Sequence, residues 1–78
     1  MGKYLDALGS EAREAANLVA RHQQEKLAHD YPGTADIALS ARSILATAES
    51  IAKTVTERGC LEDLLNLAES IRTHKATQ

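Results

Sequence analysis

His22, Glu25 and His29 are side chains of the types that ligate transition metals. On a helix advancing ~100° per residue they fall within about 60° of one another. The spacing works against a shared ion, because histidines seven residues apart lie ~10 Å apart along the axis at ~1.5 Å rise per residue. Neither an HExxH motif nor a Glu-x-x-His pair occurs. The plainer reading is a polar, solvent-facing edge near a helix end, where a protonated His29 suits the dipole. The three are weak metal-ligand candidates, and no cofactor is expected.

Cys60 is the other reactive type. A thiol at a helix N-terminus gains nucleophilicity when nearby charge favours the thiolate. Here Glu62 and Asp63 follow it and oppose that charge, and no histidine is close in sequence. A small apolar turn residue is the better account, and Cys60 is carried forward as a thiol of uncertain role. There is no Gly-rich phosphate loop, nucleophile elbow or carboxylate pair in an apolar setting. The hydroxyls of Ser40, Ser43, Thr47, Ser50, Thr54 and Thr56 read as the polar side of an amphipathic helix. Catalysis is not expected.

The stretch TVTERGCLEDLLNLAESIR has the outline of a helix-turn-helix about Gly59. In such a motif the second helix offers its first residues to the bases, and the phosphates need Lys or Arg. Those positions are Leu61, Glu62, Asp63 and Asn66, so carboxylates would face the phosphate backbone. With two Tyr and neither Phe nor Trp, the chain lacks a stacking platform for RNA. Arg13, Arg21 and Lys26 are interleaved with Glu11, Glu14 and Glu25, which reads as a solvated face. A nucleic-acid-associated helical module is therefore the alternative reading, and a metal-binding helical protein the third.

The elements that would position these residues are helices. DYPGTAD suggests a type II turn at Pro32–Gly33, with Thr34 capping the next helix. Gly59 is suited to the left-handed position that closes a helix after Arg58. Gly9 and Ser10 resemble a start signal, with Ser10 as N-cap. These breaks predict helix 1 over about 11–29, or from 3 if it is continuous, helix 2 over 35–58 and helix 3 over 61–74, with THKATQ frayed. Whether helix 1 runs through Gly9 is left open. No segment has the β-branched alternation of a strand. The N-terminal stretch lacks the apolar h-region of a signal peptide, and no run approaches the ~18 apolar residues of a spanning helix. No membrane association is expected. A single cysteine in one chain fits a reducing, cytoplasmic setting.

The core must come from few side chains. Of 78 residues fourteen are Ala, and the aliphatic mass is ten Leu, four Ile and two Val. So thin a core favours outside help, and self-association is the simplest form of it. Helix 1 directs Leu5, Leu8, Ala12, Ala15, Val19 and Leu27 to one side. Helix 3 directs Leu61, Leu64, Leu65, Ala68 and Ile71 inward, with Leu67 widening its apolar face. Along ADIALSARSILATAESIAKTV, Ile37, Ala41, Ile44, Ala48, Ile51 and Val55 form an a/d stripe, expected as a packing or dimer seam. A parallel row, Ala38, Leu45 and Ala52, is a possible partner surface.

The expected fold is an all-α antiparallel bundle of three helices in a single domain, completed by homodimerisation. Nine basic and eleven acidic residues, evenly mixed to a net charge of −2, give no polyanion-binding block. The function expected is that of a small non-catalytic protein–protein interaction module, a regulator, adaptor or inhibitor of another protein. Small inhibitors carried by bacteria, phages or mobile elements share this size and class, which is analogy alone.

Overall fold

The computed structural model describes residues 2–76, and the described residues form an all-α structure. Thr77 and Gln78, part of the end expected to fray, lie outside them. The elements are α1 (Lys3–Ala7), α2 (Ser10–Asp30), a 3-10 turn (Pro32–Thr34), α3 (Ala35–Ala38), α4 (Ala41–Arg58) and α5 (Leu61–Ala76). The three expected helices are thus five among the described residues, because the first and second are each interrupted.

The first interruption is at Leu8–Gly9, both in extended conformation, with ψ of 153° and 165°. Gly9, not Ser10, is the N-cap of α2, and Ser10 is already inside the helix. The second falls where the heptad stripe looked continuous. Leu39 closes α3 and Ser40 opens α4 with an extended backbone, its Oγ accepting from the Ser43 N–H at 3.2 Å. The same hydroxyl donates to the Ile37 carbonyl at 2.8 Å, which holds the corner from both sides. A serine able to cap is therefore enough to divert a helix that periodicity alone would continue.

The Pro32–Gly33 junction also departs from expectation. Gly59 is the described glycine with positive φ, so Gly33 does not occupy the third position of a type II turn. The segment winds instead as a 3-10 turn, with the Thr34 N–H and Oγ1 both donating to the Tyr31 carbonyl. Thr34 stands at the N-cap of α3 without a side-chain cap bond. At Gly59 the expectation holds: φ is 65° and its N–H donates to the Val55 carbonyl.

In the packing, α2 is the shared partner of both α4 and α5, which touch each other little. The side chains with no exposure at all are alanines: Ala16 and Ala20 on α2, Ala48 and Ala52 on α4, and Ala68 on α5. Leu5, Val19, Val55, Leu64 and Ile71 supply the larger apolar groups of this core. Leu27, expected on the buried side of helix 1, is exposed, as are Leu61 and Leu67 on α5. Among the described residues no polar or charged side chain is buried.

The α4 stripe divides accordingly. Ala48 and Val55 are buried, Ile44 and Ile51 half-buried, and Ile37, at 73% exposure, and Ala41 lie outside the core. The parallel row changes role too. Ala38 and Ala52 are buried in this chain, so they are not available to a partner, while Leu45 is exposed. In α3 the inward position belongs to Ala38, and Ile37 faces outward.

Candidate interaction surface

Because α2 holds α4 and α5 apart, a cleft of about 320 Å³ runs between them. One wall is Thr47, Ser50, Ile51 and Thr54 of α4, an i, i+3, i+4, i+7 set that shares a helix face. The other wall is Cys60, Asp63, Leu64 and Leu67, at the same spacing. Val19 and Gln23 of α2 form the floor. Apolar atoms of Ile51, Val55, Leu64 and Leu67 dominate this lining, and Asp63 is its single charged group. Leu67 is 48% exposed on the rim.

Cys60 sits where the walls converge. It is half-buried, packs against the core, and its N–H donates to the Val55 carbonyl while its carbonyl accepts from Leu64. The other residues lining the cleft are apolar side chains, hydroxyls, Gln23 and Asp63, with no histidine among them. Its placement is that of a small apolar residue at a helix junction. Leu61, Glu62, Asp63 and Asn66, the positions a helix-turn-helix would offer to bases, are all exposed.

His22 is half-buried on α2, and Glu25 and His29 are exposed. No group of three or more His, Cys, Asp or Glu side chains arranged to hold a metal ion occurs among the described residues. No described helix is long and apolar enough to cross a membrane.

Two polar side chains that the sequence pattern does not single out have structural tasks. Glu49 of α4 accepts from the Tyr4 N–H at 2.7 Å and the Leu5 N–H at 2.8 Å, one amide on each carboxylate oxygen. Gly2, the N-cap of α1, has no side chain to do this, so the capping acceptor comes from 44 and 45 residues away in sequence. Gln24 of α2 donates Nε2 to the Ala38 carbonyl at 2.9 Å and accepts from Thr47 Oγ1 at 3.3 Å. It thereby spans the α3–α4 corner. A second recess, of about 530 Å³, is lined by Gly2, Arg42, Leu45, Ala46 and Glu49 beside the start of α1.

No protein-family model matches the chain, and neither a curated protein nor a solved structure matches it.

Proposed function

We propose that this chain is a cytoplasmic, non-catalytic protein–protein interaction module that regulates, adapts or inhibits another protein, and that it also self-associates. The observation that carries the reading is the α4–α5 cleft, an open apolar trough between two helices whose other faces are already satisfied by α2. Ile51 and Val55 on one side and Leu64 and Leu67 on the other give the trough apolar surface that suits an amphipathic helix laid between them. The partner segment we infer carries aliphatic residues at i, i+3 or i+4 and i+7, with a Lys or Arg placed to meet Asp63. Self-association is supported by the alanine-rich core, which leaves Leu27, Tyr31, Ile37, Leu39 and Leu45 exposed.

The test is affinity capture with the wild-type chain and with Leu67→Glu, followed by binding measurements on the captured partner. Leu67 is half outside already, so Leu67→Glu is expected to keep its helicity and melting temperature while losing the partner. Asp63→Lys is expected to weaken a partner helix that carries a cation. A partner held equally by wild type and Leu67→Glu would place the binding surface elsewhere.

A further inference from the structure

The break at Leu8–Gly9 interrupts the helix without interrupting its pattern. Leu5, Leu8, Ala12, Ala15 and Val19 follow at intervals of three, four, three and four, so on one continuous helix they occupy a single stripe about 80° wide. In the structure the stripe is folded back on itself: α1 turns onto α4, where Leu5 is 3% exposed and Glu49 holds the Tyr4 and Leu5 amides. Gly9 meets nothing within 4 Å at the position a Cβ would take. A side chain at that residue therefore meets no steric obstacle in the bent form.

We propose that Leu8–Gly9 is an exchange hinge, through which two copies of this chain swap α1 and become a dimer. On straightening, residues 3–30 form one helix, and α1 projects ~10 Å beyond α2 at ~1.5 Å per residue. Its Leu5–Leu8 stripe then has no cover from its own chain. The surface complementary to it is the seat just vacated on α4, and a second copy offers the same seat empty. Each α1 enters the other copy's seat, and the second copy's Glu49 receives the Tyr4 and Leu5 amides. Every contact α1 makes in the monomer is remade, and the hinge residues gain helical hydrogen bonds that the bend forgoes. Exchange of an identical element is a low-cost route to a closed, two-fold dimer. Leu45, exposed and lining the recess at the start of α1, lies where the second copy arrives. The inference rests on the self-association proposed above and supplies its route.

Gly9 allows opposite perturbations at one residue. Alanine favours the continuous helix by roughly 2- to 5-fold per hinge, so over two hinges Gly9→Ala is expected to tighten the dimer about 4- to 25-fold. Proline fits the bent form, because Gly9 has φ of −67° and Leu8 is extended. Within a helix it is unfavourable by on the order of 100-fold per hinge. Gly9→Pro is therefore expected to be a folded monomer. Inserting Gly-Gly between Leu8 and Gly9 breaks the register and frees the bend, and is a second route to the monomer. Mass in solution is measured by sedimentation after refolding at high protein concentration, with circular dichroism reporting the fold. Dimers enhanced in Gly9→Ala and lost in Gly9→Pro or in the insertion support the hinge. Dimers indifferent to all three variants overturn the hinge and leave self-association standing. Monomers throughout, including Gly9→Ala, overturn both.

Discussion

Replacing Glu49 by Ala should detach α1 while leaving the rest of the bundle assembled. Two amide hydrogen bonds to a carboxylate, at 2.7 and 2.8 Å, contribute about 1.5–3 kcal/mol each. Burial of Leu5, with Tyr4 and Leu8 half-buried beside it, adds roughly 3–6 kcal/mol. Against this, ordering the five residues of α1 costs about 5–10 kcal/mol. The sums nearly cancel, so α1 is held by a small margin and the carboxylate decides it. Because α1 detaches rather than leave its amides unsatisfied, the loss in global stability is limited to that margin, about 1–2 kcal/mol, the size of a typical cap removal. In a domain this small that lowers Tm by roughly 4–8 °C per kcal/mol. Glu49→Gln keeps an acceptor and should lose about half as much. The local readout is amide hydrogen exchange: in Glu49→Ala the Tyr4 and Leu5 amides should lose protection while the amides of α2 and α4 keep theirs. Unchanged protection at Tyr4 and Leu5, with an unchanged Tm, would refute the assignment of Glu49 as the holding group.

Ile44→Asp and Ile37→Asp form a contrasting pair. The half-buried Ile44 should lose about 2 kcal/mol or more as a charge enters the core margin, whereas Ile37→Asp should stay within ~0.5 kcal/mol. Equal losses in urea titrations would mean the stripe is continuous after all. Ala52→Leu, at a site with no exposure, should destabilise by about 1–3 kcal/mol through overpacking, whereas Ala46→Leu on the exposed side of α4 should leave the urea midpoint nearly unchanged. Gly59→Ala forces a side chain into φ of 65° and should cost about 1 kcal/mol, read as a lower Tm with unchanged helicity.

Helix content and the turn at Gly59 were legible because each rests on local chemistry: periodic apolar residues, and a glycine where a left-handed residue must follow Arg58. The corner at Ser40 has a local cause too, yet it was hidden. The heptad stripe ran through it, and Ser40 and Ser43 read as polar-face residues of one continuous helix. Leu27 illustrates a different limit. It continues the α2 stripe in sequence, but burial also requires a neighbour across from it, and whether the bundle reaches that far is a tertiary fact. The cap supplied by Glu49 joins residues more than forty positions apart, so no window on the chain displays it. The cleft is a property of angles, set by α2 keeping α4 and α5 apart. Its lining residues were visible as helix faces, whereas the space between them was not.

The alanine contacts at the centre have a calorimetric consequence. Heat capacity rises on unfolding with newly hydrated apolar area, at about 0.45 cal/K/mol per Å², and falls with newly hydrated peptide groups. Here the fully hidden positions of α2, α4 and α5 are alanines, each exposing little more than a methyl group, while every helical turn exposes as much backbone as in any other protein. The heat-capacity increment should therefore lie below the ordinary ~12–15 cal/mol/K per residue. The curve of stability against temperature is then broad and shallow, and cooling weakens the bundle less than it weakens a domain filled with leucine and phenylalanine.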